Sequence, residues 1–594
     1  MSVSAAAPRP TPTTGWRRRA RVRGDQLRGS RGGLLALSLV VGAGTAGAAV
    51  LFRWLIETFT RLFTGHADYA AVPGAANPHL PALGRWFVVL TPVVAGLLYG
   101  PLVHRFAREA RGHGVPEVMY AVARNGGRIK PQVAGVKALA SALCIGGGGS
   151  VGREGPIVQI GSALGSTVGR VVRVTEPRMR VLVACGAAGG IAATFNAPLA
   201  GVFFAMELIL ADFTAQSFGL VVLSAVTASA IGRAVLGNEP FLALPTFTVA
   251  HPSEYLLFAL LGVVAGGAGV LFTRVLYRVE DLCDALWPGP EWARPAVGGL
   301  LLGLLLLALP QMYGVGYPVL GDAIDGRYAI AFLLLLLVGK MLATSLTIGI
   351  GGSGGVFAPS LFIGAMLGAA FGAVAHGALP GVAGPVGAYG LIGMGAVFAG
   401  AARAPITAVI IMFELTNEYS IILPLMTAIV IATLVSHALS ADSVYTLKLR
   451  RRGVDLTAPA PESLASRTPV REVMRPLPRP VEGGTPLRDV ASRLSGTSYG
   501  VLPLAGADGR YHGVVTARAV SEALAGGRHE VEPAEMVTEL PERVRVTDTL
   551  DRVLDALNQS GVGGMPVLDE DGVDPVGWVT YRDALTSMRT ASTG

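Results

Sequence analysis

From Gly148 to Gly165 the chain reads GGSVGREGPIVQIGSALG, and 203 residues later, from Gly351 to Gly368, it reads GGSGGVFAPSLFIGAMLG. Nine of these eighteen positions agree, where composition alone gives about two. One structural device is therefore used twice. Each copy is too rich in glycine and proline for an uninterrupted helix, yet too apolar for a surface loop. Any fold must hold two broken, buried segments in equivalent places.

The solvent of that fold follows from composition. The chain has 594 residues, 51% hydrophobic and 15% charged, with a mean hydropathy of +0.53, and this excludes an ordinary soluble protein. Apolar stretches at 34–53, 254–276, 296–309, 328–348 and 420–438 read as membrane spans. The segments 132–147, 156–170 and 391–411 carry too many glycines or are too short, and read as partial helices enclosed by protein. Matched interrupted segments in two halves of a membrane protein are the sequence sign of a transporter's midplane substrate site.

The ends set the topology. Arg17, Arg18, Arg19, Arg21, Arg23, Arg28 and Arg31 precede or begin the first apolar run, and Lys448, Arg450, Arg451 and Arg452 follow the last. By the positive-inside rule both flanks are cytoplasmic. The net charge of +8 then reports orientation in the lipid bilayer rather than nucleic-acid binding. No cleavable signal peptide is expected at the start. Cys144, Cys185 and Cys283 lack metal-ligand spacing and read as small core residues, so no metal is expected.

The duplication extends beyond the glycine-rich copies. Ala197-Pro198 precedes Glu207-Leu208 by ten residues, and Ala404-Pro405 precedes Glu414-Leu415 by the same interval. The expected organisation is a basic tail (1–32), a membrane domain (33–452) with repeats near 33–236 and 253–440, and a link (453–467). A polar tail follows and is itself duplicated. Met474, Leu487, Pro503, Gly513, Val515, Thr516 and Arg518 recur as Met536, Leu550, Pro566, Gly577, Val579, Thr580 and Arg582. Two small α/β units, 468–527 and 528–590, with a shared cleft are expected.

Chemistry concentrates where the helices break. In Gly152-Arg153-Glu154-Gly155-Pro156 the proline suits a helix start, and glycine allows a ligand to approach the backbone. The free N–H groups and positive dipole end of such a start attract an anion without a full charge that would trap it. Gly355-Val356-Phe357-Ala358-Pro359 offers the same start from the other half. Glu154 breaks the symmetry, because Phe357 stands in its place. A carboxylate in an apolar span is a functional candidate. When ionised it competes for the site as a tethered anion, and when protonated it swings away. A structural pair with Arg153 is the alternative.

These motifs together resemble the CLC family of chloride channels and chloride/proton antiporters. GREGP at 152–156, GVFAP at 355–359, Gly112-His113-Gly114-Val115-Pro116 and Tyr445 past the last span match the family's anion-site set, and the resemblance covers about residues 33–590. It implies an all-α polytopic membrane protein of two inverted repeats of tilted and broken helices, followed by a cytoplasmic α/β tandem CBS domain. It also implies a homodimer in the cytoplasmic membrane that conducts chloride and requires no cofactor.

Residue by residue, the resemblance makes Glu154 the gating glutamate and proton acceptor. It places His113, Gly114, Arg153, Gly155, Val356, Phe357 and Tyr445 around the anion. His113 stands where many members carry serine, so an imidazole replaces a hydroxyl, unless it merely faces water. Proton-coupled relatives typically carry a second glutamate directly after the one that follows the NAPLAG segment. Here Glu207 is followed by Leu208, which cannot carry a proton, and this favours passive conduction over exchange by a non-standard inner path. Glu207 itself reads as either a proton-path or a structural carboxylate.

The CBS pair implies an adenine nucleotide (ATP, ADP or AMP) held by Thr580 and Asp583, with Ala519 interrupting the first copy; a purely structural dimerisation module is the alternative. Gly351-Gly352-Ser353-Gly354-Gly355 also fits G-x-S-x-G, as does Gly148-Gly149-Ser150-Val151-Gly152. An intramembrane serine hydrolase using Ser353 with His376 or His437 is therefore a remote alternative. A nucleophile has no reason to be duplicated, whereas a two-sided anion site does, so no enzyme is expected.

Overall fold

The computed structural model describes residues 31–237, 251–416, 418–455, 464–506, 511–537 and 544–591. The arginines from Arg17 to Arg28 and residues 456–463 of the link lie outside the described residues. The chain divides into two compact units, Met1–Asp455 and Leu456–Gly594.

The first unit is helical and its order repeats. The first half runs α1 (Arg31–Thr64), α2 (Phe87–Phe106), α3 (Val115–Arg124), α4 (Gln132–Gly146), α5 (Glu154–Val172), α6 (Glu176–Phe195), α7 (Pro198–Phe204, continued by a π turn Ala205–Leu210) and α8 (Ala215–Leu236). The second runs α9 (Glu254–Leu286), α10 (Arg294–Ala308), α11 (Tyr317–Ile324), α12 (Ile330–Gly349), α13 (Phe357–Ala378), α14 (Val386–Ala402), α15 (Pro405–Thr416) and α16 (Ile422–Leu439), and α17 (Thr446–Arg451) closes the unit. Among the described residues, eight helices are long and apolar enough to cross a membrane. The others are shorter or, like the 19-residue α5, less apolar, and many of their glycine-rich faces are buried.

Packing follows the repeat. α1 lies against α6 and α8 as α9 lies against α14 and α16, while α2 meets α10 and α7 meets α15 across the halves. Glycine sets the closest approaches. A side chain at Gly161 of α5 would collide with the Gly186 carbonyl of α6, and one at Gly186 with that of Gly161; Gly364 of α13 and Gly393 of α14 form the same reciprocal pair. Helices in lipid gain contact energy from such approaches, because no hydrophobic drive separates protein from acyl chain.

Two expected segments are corrected. The stretch 296–309, read as a span, falls on α10, which at 15 residues is not among the eight. The stretch 391–411 is not one partial helix but parts of α14 and α15, broken where Arg403 takes a left-handed conformation (φ 57°) before Ala404-Pro405. Asn196 (φ 59°) makes the same break before Ala197-Pro198 in the first half. Proline cannot continue a helix, and it keeps the residue before it extended.

The second unit holds two three-stranded sheets of identical topology. β1 (Val481–Glu482) pairs parallel with β2 (Val501–Ala505), which pairs antiparallel with β3 (Tyr511–Thr516); β4 (Val544–Arg545), β5 (Gly564–Leu568) and β6 (Pro575–Thr580) repeat this, including the register shift near the end of the central strand. The leading straps cross over. Val470 and Met474 pack into the core of the second copy around Val553, Leu557 and Val567, whereas Met536 packs on the first around Val490 and Val515.

Candidate anion site and gate

Three glycine-rich loops interlock at the centre of the membrane unit. Gly152 N–H donates to the Gly355 carbonyl at 2.8 Å, and Gly355 N–H donates back to Gly152 at 2.6 Å. An antiparallel bridge between a residue and its own repeat counterpart marks a local two-fold relation between the halves, as an inverted repeat has. The loop before α3 joins them: Gly112 N–H donates to Gly352 O at 3.1 Å and Gly354 N–H to Gly112 O at 3.3 Å. A side chain at Gly155 would collide with the His113 carbonyl and lie 3.0 Å from Gly355 Cα.

The starts of α3, α5 and α13 therefore meet. Their N-cap residues are Gly114, Arg153 and Val356, and none of the three has a side-chain cap. Uncapped starts leave N–H groups available to an anion. Glu154, the first residue of α5, is buried, and its carboxylate folds back over Gly152, beside Ala358 of α13. Tyr317, the first residue of α11, donates its hydroxyl to Glu154 Oε1 at 2.6 Å, and the Arg153 guanidinium lies 5.2 Å over its ring. Phe357 is enclosed by the rings of Phe195 and Phe398, with centroids 5.6 and 4.5 Å away.

His113 and Tyr445 adjoin the site on the other side. Both are buried, and the His113 ring centroid is 6.4 Å from those of Tyr445 and Tyr277. Neither His113 ring nitrogen has a hydrogen-bond partner. A neutral imidazole carries one donor and one acceptor, and here both lie buried without a partner.

Two cavities approach this centre. One of about 430 Å³ is lined by Arg53, Glu57, Asp68, Arg153, Gly316 and Tyr317. Burial pushes the Asp68 carboxyl above its ordinary range, opposed by the Ala70 N–H and by Arg153. The other, about 620 Å³, is lined by residues including Arg111, Gly112, Glu280, Arg294, Lys448 and Arg452. The repeat relates Gly112 to Gly314, which also lines the first cavity, so the two cavities meet equivalent loops of the two halves.

Lys137 and Lys340, 203 residues apart, are fully buried and were not singled out by the sequence reading. Lys137 donates to the carbonyls of Ala110 (2.9 Å) and Gly112 (2.7 Å), and Lys340 to those of Gly314 (3.1 Å) and Val315 (2.9 Å). Each lysine binds carbonyl oxygens of the loop before a short helix, oxygens that would otherwise repel an anion. The loops also share a pattern: Gly112-His113-Gly114-Val115-Pro116 recurs as Gly314-Val315-Gly316-Tyr317-Pro318, with all four flanking glycines at positive φ. That spacing was the available signal for Tyr317.

Glu207 and Leu208 lie apart from these loops. Glu207 accepts from the N–H groups of Ile406 (3.1 Å) and Thr407 (2.8 Å) and from the Thr407 hydroxyl (2.6 Å). Glu414 returns the contact, accepting from Leu199 (3.0 Å) and Ala200 (2.6 Å). Each glutamate caps the helix start of the opposite half. Leu208 is buried. Ser353 bonds to Ser141 Oγ and the Ala110 carbonyl, whereas His376 and His437 bond to the carbonyls of Ala383 and Thr433. The pairing a serine hydrolase needs is absent among the described residues.

In the second unit, Thr580 and Asp583 are buried and bond to each other, the Thr580 hydroxyl donating at 2.7 Å, while Arg475 pairs with Asp583. An open cavity of about 530 Å³ lies between the two copies, lined by residues including Tyr499, Thr516, Arg518 and Ala519 of the first and Ser560 and Gly561 of the second.

The family described as voltage gated chloride channel matches residues 95–437, and the CBS domain matches 470–526 and 535–589. The H(+)/Cl(−) exchange transporter ClcA of Vibrio parahaemolyticus is 38% identical over 360 residues, 59% of this chain and 76% of that protein. A slow cyanobacterial Cl−/H+ antiporter of known structure is 27% identical with a TM-score of 0.64, covering 71% of this chain and 98% of the other. A eukaryotic CLC transporter, 22% identical, has the same fold over 93% of this chain and 97% of its own, with a TM-score of 0.57.

Proposed function

Because the chain belongs to the voltage-gated chloride channel family, CLC, with a tandem CBS unit behind its multi-pass membrane domain, we propose that it carries chloride and similar small anions selectively between the two cavities, through a pathway gated by Glu154. One observation carries this reading: the Glu154 carboxylate lies over Gly152 and beside Ala358, where two uncapped helix starts converge. An ionised glutamate there takes the place an anion would take, and protonation releases it. The backbone around Gly114, Gly155, Val356 and Phe357, the Tyr445 hydroxyl, a His113 N–H and the field of Arg153 hold the ion. The basic flanks put both termini, and the cavity at Lys448 and Arg452, on the cytoplasmic side.

Leu208 and the engaged Glu207 support passive conduction, since neither offers a free inner carboxylate. Proton exchange is the second reading, favoured by the relatives named as exchangers. The protein in sealed liposomes distinguishes the two. A reversal potential pinned at the chloride equilibrium under an added pH gradient means conduction, and one that moves with pH means exchange. Glu154→Ala is expected to leave anion flux insensitive to pH, and retained acid activation would remove Glu154 from this role.

The protein acts as a homodimer with one pathway per subunit. The CBS pair takes an adenine nucleotide, with Thr580 and Asp583 freed from their mutual bond when it binds. Titrating the full-length protein with ATP, ADP and AMP tests this. Binding that Asp583→Ala leaves unchanged would move the nucleotide to the cavity at Thr516 and Ala519.

A further inference from the structure

The two halves differ at two places that touch each other. Glu154 stands where its repeat counterpart is Phe357, and Tyr317 stands where its counterpart is Val115. The Tyr317 hydroxyl meets Glu154 Oε1 at 2.6 Å. The pair related by symmetry, Val115 and Phe357, has no hydroxyl and no carboxylate, so no such bond is open to it. We infer that Tyr317 is the latch of the gate: its hydroxyl holds the ionised Glu154 carboxylate over the anion site, and Lys340 is the mount that fixes the latch. The inference rests on the reading of Glu154 as the gate.

The physical basis is asymmetric donation. A hydroxyl gives a stronger hydrogen bond to a carboxylate than to its protonated form, and so favours the charged, closed state. The geometry is built for it. Lys340, fully buried, ties down the carbonyls of Gly314 and Val315, directly before Gly316-Tyr317, and its ammonium rests 5.0 Å over the Phe362 ring. Arg153 covers the face of the tyrosine ring. The titratable and charged groups that act on Glu154 are thus Tyr317 on α11, Arg153 beside it, Lys340 on α12 and, across the site, Tyr445. Tyr317 alone among them donates directly to the carboxylate. The latch also lines the cavity that Arg153 and Asp68 share.

The test uses the full-length protein in liposomes, with chloride flux recorded over a graded pH series. Tyr317→Phe keeps the ring under Arg153 and removes only the hydroxyl. The midpoint of acid activation is expected to rise by about one pH unit. Replacing Tyr317 with 3-fluorotyrosine, whose hydroxyl is the stronger donor, moves the midpoint the other way with scarcely any change of shape. With Glu154→Ala in the background, Tyr317→Phe has no further effect on the pH profile. Midpoints unchanged in both Tyr317 variants, with flux in Glu154→Ala flat against pH, overturn the latch and leave the gate standing. Acid activation surviving in Glu154→Ala overturns both. Infrared titration of the Glu154 carboxyl gives a readout independent of flux, and its protonated band must appear at higher pH in Tyr317→Phe.

Discussion

Gly155 shows how little freedom the site allows a single residue. A methyl group there meets the His113 carbonyl and the Gly355 backbone, neither of which can turn aside as a long side chain would. Gly155→Ala is expected to weaken chloride binding about tenfold, measured by calorimetry in detergent, with helix content by circular dichroism unchanged. In the other unit, the Thr580–Asp583–Arg475 cluster holds β6 to the helix that follows it and to the crossing strap. Asp583→Ala should lower unfolding stability by about 1–2 kcal/mol, read by scanning fluorimetry, apart from any effect on nucleotide. Glu154 was legible because a carboxylate in an apolar run needs a reason. Tyr317 was not, because GVGYP shares only three residues with GHGVP, and because a tyrosine beside a helix start is ordinary in a membrane protein.

At the scale of elements, the cross-capping of α7 and α15 is the feature with the clearest energetic content. Glu207 supplies acceptors to the start of α15, and Glu414 to the start of α7. Losing either cap costs about 1–2 kcal/mol, so Glu207→Ala and Glu414→Ala should each lower the thermal midpoint in detergent. If Glu207 is only a cap, its loss leaves any pH dependence of flux as it was. The spacing of Ala-Pro from Glu-Leu revealed that these elements repeat. It did not reveal that each glutamate serves the other half, because a contact between segments 200 residues apart follows from the two-fold axis and not from local periodicity. The break at Arg403 escaped although Arg403-Ala404-Pro405 marks it, because the stretch was read for its glycines, and one left-handed residue before Ala-Pro decides the path.

For the whole molecule, the duplication was readable from the glycine-rich copies, and the eight-and-eight order of helices bears it out; its inversion was implied only by the family resemblance. The chain divides into two compact units, and the second holds hydrophobic cores of its own. A chain ended at Asp455 is therefore expected to retain chloride flux and its acid activation and to lose any response to adenine nucleotide, checked by the same liposome assay. The reciprocal hydrogen bonds between Gly152 and Gly355 carry a further consequence. Each half is hydrogen-bonded to its two-fold counterpart there, so rocking one repeat against the other, the usual motion of alternating-access carriers, would break both bonds. On the proposed reading of the gate, what remains to move is the Glu154 carboxylate, swinging about its own bonds. Throughput is then governed by rotamer kinetics within a rigid frame, and freezing the scaffold with crosslinks between the repeats should leave the ion current largely intact.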